Sequence, residues 1–193
     1  MNPLGLTSSQ TIGPFFHDAM LRPDATRHIV GGPASAGERV RLEGRVLDAD
    51  GVPVQDAMVE IWQANHEGQY GREDFLGFGR SGTDTDGRYW FETTRPGRVA
   101  YDAARQQAPH VNVAIFARGL LNHLFTRVYF ADEPSTAGDP VLALVPEARR
   151  TTLLARPSVR DGQTVYTFDI ALSGDGETVF FDYRAPSVPP ADG

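Results

Sequence analysis

The five histidines, His17, His28, His66, His110 and His123, are the side chains best suited to hold a metal or move a proton. Their spacing includes no H-x-H, H-x-x-x-H or H-E-x-x-H pattern, so no two-histidine metal site is visible locally. A serine nucleophile of the elbow type would want G-x-S-x-G, and the chain has none. No glycine run resembles a phosphate cradle. With no cysteine, disulfides, zinc–thiolate sites, iron–sulfur clusters and a thiol nucleophile are excluded.

The elements that must position these residues read as β structure. The 20 Gly and 14 Pro are scattered as punctuation between short apolar segments. Residues 39–46 alternate, with Arg39, Arg41, Glu43 and Arg45 on one side and Val40, Leu42, Gly44 and Val46 on the other, which predicts a half-buried strand. Turns at Asp48-Ala49-Asp50-Gly51 and Asp84-Thr85-Asp86-Gly87 precede strands predicted at Met58–Trp62 and Arg88–Phe91. Further strands are predicted at Val111–Phe116, Leu124–Phe130, Val165–Leu172 and Thr178–Phe181. The best helix signal opens at Pro146 and runs to about Ala155. The expected fold is all-β: a two-sheet antiparallel β-sandwich with one or two short helices and long loops.

The 193 residues suit one domain, divided into an N-terminal arm (1–36), a core (about 37–183) and a tail (184–193). A net charge of −7, with no basic concentration, argues against nucleic acid. No apolar stretch approaches the ~20 residues of a membrane helix. Met1 to Gln10 lacks the pattern of a secretory signal. The expected setting is cytoplasmic.

Longer strings carry a resemblance. Glu60-Ile61-Trp62-Gln63-Ala64-Asn65-His66-Glu67-Gly68-Gln69-Tyr70, then Phe78-Gly79-Arg80, Asp86-Gly87-Arg88-Tyr89, Pro96-Gly97 and Ala108-Pro109-His110-Val111-Asn112-Val113 together resemble the intradiol ring-cleaving dioxygenases. The strings stand in family order, and the likeness spans residues 10–183. It implies a β-sandwich core and chemistry on a ferric ion held by two Tyr phenolates and two His imidazoles, a hard cation matched to anionic oxygen. A catechol chelates that ion, which polarises it toward dioxygen. By the resemblance, the first Tyr falls at Tyr70 and the first His at His110. The second His position is Asn112, the second Tyr position is Val99 with Tyr101 nearby but out of register, and the family's Arg ahead of the histidines is Gln107.

The resemblance therefore implies a chain without its own metal and without catalytic residues. It points to the metal-free (alpha) member of a two-chain enzyme, whose Fe3+ is held by a homologous beta chain in a hetero-oligomer of αβ units. Three segments are similar to that metal-free chain: Ser9–Phe16, Phe116–Leu120 and Gly176–Asp182. Arg118 is then expected to face the shared pocket and orient an anionic benzoate. Thr11, Gly13 and Pro14 are expected to line the same pocket. Without the resemblance, Arg118 reads as a strand-end Arg paired with a surface acid, and Gly13-Pro14 as an ordinary turn. Tyr70 and His110 are expected as remnants bonded to each other or to backbone. Trp62, Trp90, Phe116 and Phe130 read as core or interface aromatics, and Asp132-Glu133 as a solvated loop. Two alternatives stay open: a self-sufficient dioxygenase using Tyr70, His110 and Tyr101, and a non-enzymatic β-sandwich binding module.

Overall fold

The computed structural model describes residues 11–13, 18–32 and 35–183. Its strands are β1 (Arg39–Leu47), β2 (Met58–Gln63), β3 (Phe78–Gly82), β4 (Arg88–Thr94), β5 (Val99–Ala100), β6 (Gln106–Gln107), β7 (His110–Phe116), β8 (Leu124–Phe130), β9 (Leu154–Arg160), β10 (Gln163–Thr167) and β11 (Ile170–Ala171). In β1 the predicted alternation becomes burial: Val40, Leu42, Gly44 and Val46 turn inward, and the charged residues between them turn out. Outside, Glu43 pairs with Arg41 at 2.7 Å and with Arg160 at 2.9 Å.

The molecule is mostly β, as expected, but the pairing departs from two antiparallel sheets. Hydrogen bonds run without a break through nine strands in the order β11-β1-β10-β9-β8-β7-β2-β3, with β4 on the other side of β1. Three pairings, β1–β10, β1–β11 and β8–β9, are parallel. The curl nearly closes through the segment read as an arm. Arg27 exchanges backbone hydrogen bonds with Arg80 of β3 at 2.8 and 2.9 Å, while His28 and Val30 bond Glu92 of β4 at 2.9 and 2.8 Å. Unpaired edges of β3 and β4 would otherwise face each other without partners, and residues 27–30 satisfy both. Inside the curl lies one apolar cluster including Val59, Ile61, Phe91, Val111, Val113, Ile115 and Tyr166.

The predicted helix is a 3-10 helix, Glu147–Leu153, with Pro146 at its N-cap. It stops short of Ala155 because Leu154 and Ala155 pair with Tyr129 and Phe130 of β8. Strand 165–172 splits into β10 and β11, because the Asp169 carboxylate takes the Arg45 backbone N–H at 2.9 Å and interrupts the ladder. Thr178–Phe181 forms no strand; a single bridge joins Phe181 to Phe125. Asp132-Glu133 is no free loop, since both carboxylates pair with Arg95, at 3.1 and 3.3 Å, and Tyr166 donates to Asp132 at 2.9 Å.

One turn sets the position of Tyr70. The Asn65 side-chain oxygen accepts from the backbone of Glu67 and Gln69 at 3.0 and 2.9 Å, and the Asn65 carbonyl takes Gly68 and Gly97 at 3.0 and 2.9 Å. This ties residues 65–70 to the Pro96-Gly97 loop ahead of Val99. Gly68 has φ +81°, and a Cβ there would meet the Arg98 carbonyl oxygen at 1.8 Å. Gly68→Ala is expected to lower unfolding free energy by ~2–4 kcal/mol, from left-handed strain plus a backbone clash. Gly71→Ala, at φ +64° with open space around it, is expected to lose only about 1 kcal/mol. Urea denaturation of the two variants checks this, and equal losses would contradict it.

Candidate functional site

Strand β7 carries a polar group at each end. At its start, His110 is buried at 1% exposure, and its Nδ1 lies 2.8 Å from the Ala108 carbonyl. Its Nε2 faces the Tyr70 hydroxyl at 3.4 Å. Asn112 Nδ2 donates to the Tyr70 hydroxyl at 3.0 Å and to the Trp62 carbonyl at 3.2 Å. Trp62 itself stacks on Tyr70, with centroids 6.0 Å apart, and is 38% exposed, so it covers the phenol rather than filling the core. The antiparallel register sets Arg127 of β8 opposite Asn112, and Tyr129 opposite His110. Directly opposed residues share a face, so these four side chains form one patch.

Residues that the sequence reading passed over hold this patch. Asp139 is 1% exposed, and its carboxylate accepts from Ala108 N at 2.7 Å, the Tyr129 hydroxyl at 3.0 Å and Leu142 N at 2.7 Å. It thereby fixes both the peptide before His110 and the residue across from it. Arg127 donates to Gln107 Oε1 at 2.7 Å. Neither residue carries a local sequence signal. Arg127 comes to Asn112 only through a register across the seven-residue connection 117–123, and Asp139 through a 3-10 turn, Pro134–Gly138.

The patch holds one fixed cation, Arg127, and one carboxylate, Asp139, joined through the Tyr129 hydroxyl. Burial, reinforced by the Arg127 guanidinium, pulls the His110 imidazole down to about 4. Burial pushes the Tyr70 phenol up, against a smaller lowering effect of the Asn112 hydrogen bond. These residues do not fit a ferric ion. The Asn112 amide directs its N–H groups at Tyr70 and Trp62 rather than offering a lone pair, and an isopropyl group stands at Val99. Tyr101 lies on the β5–β6 hairpin under the Arg105 guanidinium, 4.7 Å from its ring centroid. Among the described residues no three His, Cys, Asp or Glu side chains converge as a metal cluster.

The other end of β7 holds the residues expected to meet a ligand. Arg118 is 76% exposed and pairs through Nε with Asp56 Oδ2 at 2.9 Å. Thr11 accepts from the Gly119 backbone N–H at 2.8 Å, which places the arm beside Arg118. Gly13 is exposed, and Pro14 lies outside the described residues. From His110 to Phe116 the strand runs ~20 Å at about 3.4 Å per residue. The structure thus joins Thr11 to the Arg118 turn and joins Tyr70, His110 and Asn112 to one another, at opposite ends of one strand.

Comparison with known proteins matches the sequence profile described as "Dioxygenase" to residues 12–174. The chain belongs to this dioxygenase family. It is 43% identical to the protocatechuate 3,4-dioxygenase alpha chain of Burkholderia cepacia, an alignment covering 94% of this chain and 100% of that one. It is 35% identical to the beta chain from the same organism, over 88% of this chain and 77% of that one. A solved 3-chlorocatechol 1,2-dioxygenase from Rhodococcus opacus 1CP shares the fold, with a TM-score of 0.64, 21% identity, and coverage of 78% of this chain and 65% of that one. In this dioxygenase chain the named ends of β7 therefore sit on a family scaffold.

The depressed His110 value sets a pH dependence. The unfolded imidazole takes a proton near 6.5, and the folded one only near 4. Between these values the unfolded state binds more protons, so stability is fully present above 6.5 and is lost as pH falls toward 4, by up to about 3 kcal/mol. Denaturant unfolding at pH 7 and pH 4.5 should show the loss, and His110→Gln should flatten that part of the profile. An unchanged slope in His110→Gln would reject His110 as its source.

Proposed function

We propose that this chain is the iron-free alpha subunit of a protocatechuate 3,4-dioxygenase. It pairs with a homologous beta chain that holds the Fe3+ and cleaves protocatechuate with O2 to 3-carboxy-cis,cis-muconate. The observation that carries this reading is the separation along β7. Thr11 and Arg118, read as facing a ligand, lie beyond one end of a strand about 20 Å long whose other end carries this chain's own Tyr70–His110 patch. In this reading they serve a site on another chain. The 43% identity to an alpha chain over its whole length, against 35% to a beta chain, supports the same division.

Ring cleavage is supplied by the partner's metal, and no residue of this chain takes part in that step. What this chain contributes is charge and shape. Asp56 occupies the Nε edge of Arg118, which leaves both Nη groups to meet a carboxylate end-on. Thr11 is held against Gly119, so that Thr11 and Gly13 can close one wall of the shared pocket. An ion pair this exposed stabilises the fold little, about 0–1 kcal/mol. Arg118 is therefore free to act in binding. The cytoplasmic setting read from the sequence belongs to this proposal.

Arg118→Ala, co-expressed with the beta chain, is expected to raise KM for protocatechuate roughly 10–100-fold, the loss of one charge-assisted hydrogen-bonded contact. Iron content and kcat should change little, and KM for catechol, which lacks the carboxylate, should stay as it is. An unchanged KM for protocatechuate would reject the role of Arg118. A stoichiometric iron in this chain purified without a partner would reject the subunit reading itself.

A further inference from the structure

Arg127 carries its charge without a direct ion pair among the described residues, the Asp139 carboxylate reaching it only through the Tyr129 hydroxyl. Arg95 has Asp132 and Glu133, and Arg80 has Glu60 at 2.6 Å, while Arg39 and Arg150 donate to backbone carbonyls. Among the described residues no carboxylate pairs with Arg127; its hydrogen-bonding neighbours are Gln107 and the hydroxyls of Tyr129 and Tyr183. Its Nε is buried and without a partner. A guanidinium does not shed its proton in proteins, so this is a permanent positive charge. The β7–β8 register holds it on the same face as His110 and Asn112, and its field reaches both the Tyr70 hydroxyl and the His110 ring.

We infer that the Arg127 guanidinium occupies the electrostatic role of a metal ion in this patch, and that it excludes metal independently of the missing donors at Val99 and Asn112. Two features of the geometry carry this. First, Arg127 donates to the amide oxygen of Gln107 and meets the hydroxyls of Tyr129 and Tyr183, and its charge acts on the Tyr70 phenol and the His110 imidazole, which face each other at 3.4 Å, while Asp139 spends its oxygens on Ala108, Tyr129 and Leu142. Second, Arg127 is cross-strand to Asn112, one of the two places where a donor would have to be restored. A trivalent ion entering there meets a fixed like charge, and the repulsion is three times that felt by a monovalent one at the same distance. Loss of donors alone would leave a weak metal site; a resident guanidinium leaves none.

The test restores the donors with Val99→Tyr and Asn112→His in the full chain, purified with whatever partner accompanies it. Added iron is then counted per chain, along with the visible tyrosinate-to-iron band. With Arg127 kept, no added iron is expected. With Arg127→Gln included, one added ferric ion per chain and the visible band are expected, a gain in affinity of roughly 100-fold or more. Arg127→Lys, which keeps the charge and changes the shape, should refuse iron as Arg127 does. If Arg127→Gln does not fold, as judged by far-UV circular dichroism, Arg127→Met carries the same expectation. Iron uptake with Arg127 or its Lys replacement present would overturn the inference. So would no uptake in a folded neutral form, or failure of both neutral forms to fold, which would make Arg127 a structural residue. The readout is an increment over the unmodified protein, so it stands apart from the subunit reading, whose failure would appear in the unmodified protein.

Discussion

The register of β7 is the constraint on which the rest of this molecule depends. The strand is paired on both sides, Asn112 standing against Trp62 of β2 and against Arg127 of β8. Its inward residues Val111, Val113 and Ile115 are at most 2% exposed. A slip by one residue would turn those three side chains outward and bury His110, Asn112 and Ala114 in apolar surroundings, so the core enforces the register. With the register fixed, the polar patch at one end and the Arg118 turn at the other follow without further choice. Asp139 adds a pin at the start of the strand, where a frayed end would otherwise release His110.

Two partly buried arginines, Arg127 on β8 and Arg95 against it, show how charge is used differently within one fold. Arg95 lies over the Phe130 ring, 5.0 Å from its centroid, donates to Tyr166 and pairs with Asp132 and Glu133. That network is closed: the cation, two acids and a phenol satisfy one another, and its effect is to tie β8 to β10. Burial raises the cost of charging Asp132 and Glu133, yet their hydrogen bonds and Arg95 leave both carboxyls below their ordinary values. The Arg127 patch is more open: among the described residues its direct partners are neutral, and the Asp139 carboxylate reaches it only through the Tyr129 hydroxyl. A buried charge without a counterion is costly unless its surroundings supply dipoles. Tyr70, Gln107, Tyr129 and Tyr183 are such dipoles, and neutral His110 avoids adding a second cation.

Much of this was legible in the sequence where periodicity is strong. The alternation at 39–46 marks β1 because one face meets water and the other the core. Leu124–Phe130 was read with its observed limits because apolar residues dominate it. Strand β9 was missed: Leu-Ala-Arg-Pro-Ser-Val-Arg buries only Ala155, so no hydrophobic pattern marks it, and it exists because β8 and β10 offer partners. The parallel pairings were missed for a related reason. They are set by which edges lie free after the curl forms, and strand-by-strand reading does not see edges. At the site, Tyr70, His110, Val99 and Asn112 were legible as motif positions. Arg127, Asp139 and Asp56 were not, since their meaning arises only when β8, the 134–138 turn and the β1–β2 loop close around β7.

A chain that keeps the scaffold of a metal enzyme must still stabilise the place where the metal would be. An unfilled cluster of phenol, imidazole and carbonyl groups would draw in water and loosen the start of β7, and that looseness would travel along a rigid strand to the Arg118 turn. The hydrogen bonds from Asn112 to Tyr70 and Trp62, and from Arg127 to Gln107, close the cluster with protein groups instead. The end of β7 proposed to serve a ligand therefore depends on how well the other end is sealed. Because the two ends lie ~20 Å apart on one paired strand, the proposed exchange of metal for guanidinium leaves the geometry around Arg118 and Thr11 undisturbed.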